Sequence, residues 1–231
     1  MTCCFNRSAD GYLWQIYLKK LQNILHQFIA EIKNTGWLEF IAVITGVASV
    51  WFSRAENILV YPVGLINTII YIYLSVKGSL FGEASVNFYY TVMSIYGWLL
   101  WAKKDQANNI IVHVTRSNKK EWISQLIFFG CFYVAIFFLL SFLKSSLFAP
   151  GAIPWADAFA SATAYTGMWL MAKKKVESWY WWIATDIVSV PLYFTKHYAF
   201  TSFYYVVLSI FAFWGLAEWM KRARKHAIQP A

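Results

Sequence analysis

The sequence predicts an all-α, polytopic membrane helix bundle with seven transmembrane helices in a 3+1+3 parallel-repeat arrangement, preceded by an N-terminal amphipathic helix. The first observation is composition, since 59% of the 231 residues are apolar and only 13% are charged, against about 25% charged residues in an average soluble domain. A soluble domain of this length cannot bury so much apolar surface. The composition therefore indicates that lipid surrounds this chain. The other two observations are seven apolar runs and an internal repeat.

The N-terminal segment, residues 1–35, is amphipathic. Its apolar residues, among them Leu21, Leu25, Phe28 and Ile32, recur at helical spacing, and charged residues interrupt every run that would otherwise be long enough to cross a membrane. This pattern favours a helix that lies on the membrane surface. Packing of the same helix against the transmembrane bundle is the alternative.

Seven further segments are apolar over a length near the roughly 20 residues that a spanning helix needs. Short polar breaks separate most of them, and the one longer break follows the third segment. The predicted spans are residues 37–51, 58–76, 84–102, 122–143, 153–172, 179–195 and 198–217.

The basic residues cluster between the apolar runs, as at residues 173–175. Counted by side, 13 of the 20 Lys and Arg residues lie on the side of the C-terminus and seven on the side of the N-terminus. Cytoplasmic loops of membrane proteins carry the excess of Lys and Arg. The sequence therefore predicts an outer N-terminus and a cytoplasmic C-terminus, and the net charge of +9 does not indicate a nucleic-acid partner.

The two halves of the chain share a sequence pattern. The third and seventh spans share a Phe-Tyr-Tyr motif with a following Ser at an offset of 115, and the first and fifth spans share a Trp-x-acid start at an offset of 118. The second and sixth spans align less well, at about 120. Parallel halves with a site between them are a known transporter plan. The predicted units are segment 1–35, first repeat 36–103, loop and linker helix 104–150, second repeat 151–222 and cytoplasmic tail 223–231.

Polar residues inside the predicted spans are candidates for a functional site, because each is costly in lipid. Asp186 is the deepest acid, and Asn67, Asn87 and Ser94 also lie in mid-span. For the two Asn residues, a hydrogen bond between helices is the alternative. Glu39 and Asp157 lie in the first turn of their spans, where an acid stabilises the helix N-terminus, so we expect a structural role for them.

Trp179, Trp182 and Asp186 share one face of the sixth span. Two indole rings beside a carboxylate suit a flat cationic ring, through cation–π attraction and charge neutralisation. An aromatic belt at the membrane interface is the alternative explanation. The sequence contains no enzyme motif and no spacing typical of a metal site, so we expect neither catalysis, a metal nor a cofactor.

These residues give the chain its resemblance to a known family. Asn87 and Tyr90, followed by Ser94 and the Tyr-Gly-Trp at 96–98, together with the Trp179–Asp186 pattern, resemble the PnuC family of bacterial nicotinamide riboside transporters over residues 36–222. The resemblance implies a fold related to the SWEET sugar transporters, a homotrimer in the bacterial inner membrane, and import of nicotinamide riboside by facilitated diffusion. It also implies a functional link to a cytoplasmic riboside kinase, whose product cannot leave.

The resemblance extends to a substrate site in which aromatic rings hold the pyridinium, Asn side chains bond the amide or the hydroxyls, and the carboxylate offsets the positive charge. A carrier of the same fold for thiamine, riboflavin or a sugar is the nearer alternative, and a membrane-embedded sensor or scaffold is the more distant one. The expected substrate-binding residues are Asn67, Asn87, Tyr90, Ser94, Trp179, Trp182, Asp186 and Tyr205.

Overall fold

A computed structural model describes residues 7–34, 36–77, 81–104, 111–143 and 151–228. These residues form eight α-helices, joined by short connections. Residues 105–110 and 144–150 of the predicted loop and linker unit lie outside the described residues. The helices are α1 (Arg7–Asn34), α2 (Trp37–Arg54), α3 (Val60–Lys77), α4 (Phe81–Trp101), α5 (Lys119–Leu143), α6 (Pro154–Ala172), α7 (Ser178–Thr195) and α8 (Ala199–Ile228).

Each predicted span falls on one helix, and the largest difference in length is at α8, which continues eleven residues beyond its predicted end at 217. Four helices within the described residues are long and apolar enough to cross a membrane by length and composition: α2, α3, α5 and the first 27 residues of α8. The helices α4, α6 and α7 have the length but carry more Tyr, Trp, Ser and Thr, which lowers their mean hydropathy.

Helix α5 is apolar outside and polar inside, which is the opposite of a helix in a soluble protein. Its exposed side chains are mostly apolar, with Phe142 82% exposed, and Gln125 is the one residue of α5 that the structure shows as buried. The Gln125 amide is satisfied on both sides, since it donates to Ser117 Oγ at 2.8 Å and accepts from Trp181 Nε1 at 3.1 Å. Apolar outside and hydrogen-bonded polar groups inside are what lipid requires of a helix bundle.

Six helices form a closed ring. Neighbours along the chain pack together within α2–α3–α4 and within α6–α7–α8, and the two sets join where α4 meets α6 and where α8 meets α2. Among the described residues, α5 and α1 lie outside the ring. Helix α5 packs mainly on α6 and also contacts Trp181 of α7, and α1 packs on α8. The two halves therefore meet through equivalent junctions, as a pseudo-twofold axis through the ring requires.

Contacts inside the ring give the register between the halves. A Cβ at Gly97 would lie 2.5 Å from the Tyr61 ring, and a Cβ at Gly215 would overlap the Trp179 ring. Both members of the first contact lie 118 positions before those of the second. The offset of 118 predicted for the first and fifth spans thus holds for all three helix pairs. The offset of 115 was short by three positions, about one helical turn, because repeated aromatic residues match equally well there. The offset of about 120 was too long by two positions.

Helix α1 packs on the bundle through its C-terminal half. The Phe28 ring contacts Phe200 and Phe203 with centroids 5.9 and 5.7 Å apart. The Glu31 carboxylate accepts hydrogen bonds from the backbone N–H groups of Ala199 at 3.1 Å and Phe200 at 2.7 Å. An acid at these free N–H groups stabilises the start of α8. Packing on the bundle, the alternative of the sequence analysis, therefore holds for this half of α1.

Candidate functional site

A cavity of about 110 Å³ lies inside the ring, between the two halves. Its walls come from the C-terminal turns of α2 and α6, the N-terminal turns of α3 and α7, and the middle of α4 and α8. It therefore lies toward the end of the ring that carries the α2–α3 and α6–α7 connections. The lining residues are Ser49, Val50, Ser53, Val60, Tyr61, Ser94, Met168, Met171, Trp179, Trp182, Asp186, Leu208 and Ala212.

Asp186 is the one acid in the lining and is only 3% exposed. Within the described residues, its carboxylate has neither a hydrogen-bond donor nor a cation as partner. An isolated buried carboxylate is costly, and buried charges in folded proteins are normally paired. Contact of Asp186 with a ligand that supplies a positive charge or hydrogen-bond donors therefore stays a prediction, and the place of this carboxylate in the cavity lining is consistent with it.

Two aromatic residues at equivalent positions form opposite walls. Tyr61 lies in the first turn of α3 and Trp179 in the first turn of α7. Each ring packs against a glycine of the next helix, Gly97 of α4 or Gly215 of α8. The hydroxyl of Tyr61 and the indole N–H of Trp179 are buried and without a hydrogen-bond partner in the described structure. Because buried donors are nearly always paired, these two groups fit a ligand with acceptor atoms.

The cavity is asymmetric although the ring is nearly symmetric. In the second half, the Trp182 ring covers Gly167, where an added Cβ would lie 3.2 Å from the indole. The equivalent positions in the first half are Gly64 and Ser49, which are both small. One side therefore carries an indole ring and the other leaves space, which suits a ligand with two different ends.

The structure brings four of the predicted site residues into the lining: Ser94, Trp179, Trp182 and Asp186. Ser94 is buried in α4, and Ala212, also in the lining, stands at the equivalent position of α8. Tyr90 is not in the lining but lies next to Trp182, with the two ring centroids 6.1 Å apart.

The other three predicted residues do not line the cavity. The Asn67 amide donates to the Ala42 carbonyl at 2.6 Å, which is the interhelical bond named as its alternative, and the Asn87 amide donates to Glu83 O of its own helix at 3.0 Å. The Tyr205 ring stacks on Tyr193 with centroids 5.2 Å apart. Contact of these three residues with a ligand stays a prediction.

Asp157 has the structural role expected of it, since it accepts a hydrogen bond from the Ile153 N–H at 2.6 Å and pairs with Lys196 at 2.6 Å. Tyr61 and Ser49 line the cavity but were not among the predicted site residues. The correct offset of 118 would have found Tyr61, because it places this residue opposite Trp179. Among the described residues, no cluster of His, Cys, Asp or Glu is arranged to hold a metal ion.

A family model described as "Nicotinamide mononucleotide transporter" matches residues 36–221, which include the cavity lining and all of the ring except the last seven residues of α8. The chain belongs to this family. Its membership confirms the resemblance to the PnuC family that the sequence motifs predicted.

Members of the family with assigned roles are similar to this chain over most of their length. The riboflavin/roseoflavin transporter RibM of Streptomyces davaonensis is 26% identical over 86% of this chain and 91% of its own. The nicotinamide riboside transporter PnuC of Escherichia coli is 23% identical over 83% and 88%. A crystal structure of the vitamin B3 transporter PnuC has the same fold, with a TM-score of 0.65 over 89% of this chain at 21% identity.

The chain is therefore a multi-pass membrane transporter of the vitamin-carrying type. Its relatives are transporters and not enzymes, which supports a role other than catalysis. In transporters built from two repeats, the substrate site lies between the repeats, and the cavity lies between the two halves of this ring.

Proposed function

We propose that the protein imports nicotinamide riboside by facilitated diffusion, and that a cytoplasmic riboside kinase traps the substrate by phosphorylation. The observation that carries this proposal is Asp186, an unpartnered carboxylate in an aromatic cavity. Nicotinamide riboside joins a flat pyridinium cation to a carboxamide and a ribose. The cation would neutralise Asp186 and stack on Trp182, and the oxygen atoms would accept hydrogen bonds from Tyr61 and Trp179.

Riboflavin is the second candidate, because RibM is a relative with 26% identity. Two features favour the riboside. The riboflavin ring system is uncharged and would leave Asp186 without a counter-charge. The cavity of about 110 Å³ between Tyr61, Trp179 and Trp182 suits one six-membered ring better than three fused rings. Thiamine is also cationic, so among the alternative substrates it is the one that could also neutralise Asp186.

The proposed architecture has seven membrane-spanning helices, α2 to α8, arranged as three, one and three. In this arrangement α5 is the linker that makes the two halves parallel, and α1 lies on the outer side. The C-terminus faces the cytoplasm of a bacterium, and the protein forms homotrimers as the PnuC resemblance implies. A phosphorylated product would carry negative charge toward Asp186, so the site would reject it and the kinase would make uptake one-way.

The test is binding of four ligands to the purified protein by titration calorimetry: nicotinamide riboside, its uncharged benzamide analogue, thiamine and riboflavin. We expect the riboside to bind at least tenfold more tightly than the other three. Asp186→Asn should remove most of the advantage over the benzamide analogue, because the charge difference between these two ligands acts on this carboxylate.

Asp157→Asn is the matched control, because Asp157 is ion-paired with Lys196 at the other end of the ring. It should leave the ratio of the two affinities unchanged. Tight binding of riboflavin without binding of the riboside would contradict the proposed substrate and favour the alternative.

A further inference from the structure

Equivalent residues of the two halves touch each other across the pseudo-twofold axis at one end of the ring. Ser53 Oγ lies 2.8 Å from Met171 Sδ, and these residues are 118 positions apart. Trp101 and Trp219, which are also 118 positions apart, pack with ring centroids 6.2 Å apart. In both contacts a residue of one half meets its own equivalent in the other half, and these contacts close the ring at this end of the cavity.

The same two Trp residues bind the halves together through hydrogen bonds. The Trp101 indole N–H of the first half donates to the Ala172 carbonyl of the second half at 3.0 Å. The Trp219 indole N–H of the second half donates to the Ser53 carbonyl of the first half at 3.1 Å. Parting the halves at this end would break both bonds together.

A charged pair lies on the same axis, next to these contacts. Lys174 Nζ is 2.7 Å from Glu56 Oε1, again 118 positions apart, and their side chains are 3% and 15% exposed. Arg222 of α8 approaches the other oxygen of Glu56 at 3.0 Å. The Lys174 ammonium also lies 4.6 Å from the centroid of the Trp101 ring. The pair joins the α2–α3 connection to the α6–α7 connection.

The backbone at both residues is in the left-handed region, with φ of 59° at Glu56 and 51° at Lys174. This conformation is uncommon for residues other than glycine, and it persists where surrounding contacts hold it. Here the same strained turn recurs in both halves and presents two opposite charges to each other. Opening the end of the ring would separate the charges and free both turns.

We infer that Glu56 and Lys174, with Trp101 and Trp219, form the gate through which the cavity opens to one side of the membrane, the cytoplasmic side in the proposed orientation. The closed gate is the state described here. Substrate release requires the two connections to part, which breaks the Glu56–Lys174 pair. This inference rests on the proposed transport function, and its test needs no substrate.

The test measures access to the cavity by a thiol reagent. The variant Ala212→Cys, in a chain whose Cys3, Cys4 and Cys131 are replaced by Ser, carries one thiol in the cavity lining and is treated with a membrane-impermeant methanethiosulfonate. Glu56→Gln or Lys174→Gln should raise the rate of modification at least fivefold from the gate side. The double variant should react no faster than the faster single variant, because both changes break one pair.

Arg116→Gln is the matched control, since Arg116 pairs with Glu177 at the same end of the ring but away from the axis. It should leave the rate unchanged. Equal rates for Glu56→Gln, Lys174→Gln and the parent chain from both sides of the membrane would overturn the inference.

A second experiment locks the gate closed instead of opening it. Because the lock is reversible, recovery of uptake shows that the protein is still folded. Ser53→Cys together with Met171→Cys, joined by a short bis-methanethiosulfonate, should hold the gate closed and abolish uptake until the disulfide links are reduced. Riboside binding from the other side should persist. Undiminished uptake by the fully linked protein would also overturn the gate. Failure of the parent chain to bind the riboside would count against the proposed substrate alone, because thiol access is measured without it.

Discussion

Trp181 and Trp182 are neighbours in α7 with opposite surroundings. Trp182 lines the cavity, whereas Trp181 donates its indole N–H to Gln125 of α5 and packs on Phe129 with centroids 5.1 Å apart. We expect Trp182→Ala to weaken riboside binding by about 1–3 kcal/mol through lost ring contact and cation–π attraction. Calorimetric titration measures this loss directly.

Trp181→Ala is the control for this prediction. It should lower the melting temperature, because it leaves the buried Gln125 amide without its donor, and it should change the dissociation constant little. Equal losses of affinity at both positions would mean that neither indole is a specific ligand contact and that the segment is an interface belt.

Tyr61 gives a second prediction at the residue scale. Its buried hydroxyl has no protein partner in the described residues, so Tyr61→Phe should leave the melting temperature of the empty protein unchanged or raise it, since an unpaired buried polar group costs about 1–3 kcal/mol. The same change should weaken riboside binding about tenfold, the value of roughly one hydrogen bond.

Tyr89→Phe removes the same atom from a paired group, because the Tyr89 hydroxyl donates to the Tyr165 carbonyl at 3.0 Å. This control should lower the melting temperature and leave affinity unchanged. A fall in melting temperature for Tyr61→Phe, with unchanged affinity, would show that the Tyr61 hydroxyl has a structural partner instead.

Residues of the cavity lining could be predicted where they share one helix face. Trp179, Trp182 and Asp186 needed only the helical period of α7. Asn67 illustrates what a sequence leaves open, because an amide in a membrane helix bonds equally well to a ligand or to a backbone carbonyl of its neighbour. Tyr61 was missed because a Tyr at the start of a span is also typical of the membrane interface.

At the scale of elements, two glycines set the distance between helices within each half. The Tyr61 ring occupies the place of a side chain at Gly97, and the Trp179 ring does so at Gly215. We expect Gly97→Ala and Gly215→Ala each to destabilise the protein by about 1–3 kcal/mol, the usual cost of overpacking. Because both rings line the cavity, each change should also reduce riboside affinity.

Gly130→Ala in α5 is the control, since nothing lies within 4 Å of a Cβ at that position. It should leave the melting temperature and the affinity unchanged or improve stability slightly, because Ala favours the helix. A melting temperature for Gly97→Ala and Gly215→Ala equal to that of the parent would contradict the tight packing described here.

Helix positions were predictable from apolar runs, but their ends and register were less so. The predicted end of α8 at 217 followed the onset of charge, yet the helix continues and carries Arg222 to Glu56. The Phe-Tyr-Tyr motif matched α4 to α8 one turn out of register, because an aromatic-rich chain offers several equal matches. Only contacts that recur within each half, Gly97 with Tyr61 in the first and Gly215 with Trp179 in the second, distinguish among them.

At the scale of the whole molecule, orientation follows from charge. The 13 Lys and Arg residues on the side of the C-terminus predict that this side faces the cytoplasm. A reporter enzyme that works only in the cytoplasm should be active when fused after Ala231, and a reporter that works only in the periplasm should be inactive there. The reverse result would overturn the orientation and would place the gate on the outer side.

The charge distribution inside the ring also bears on energy coupling. Asp186 is the one acid in the cavity lining, and a cationic substrate would compete with a proton for its carboxylate. A proton-driven cycle would need this group to change charge with the aid of a second titratable partner, and the lining residues include no other acid, His or Lys. We therefore expect the protein to equilibrate its substrate without a driving ion.

Uptake of labelled nicotinamide riboside into vesicles containing only the purified protein tests this account most directly. The internal concentration should rise to the external level and stop there, with or without an imposed pH or sodium gradient. Adding a riboside kinase and ATP inside should then raise the total label further, and Asp186→Asn should slow entry. Accumulation above the external level with a gradient and no kinase, or no entry of the riboside at all, would contradict the account.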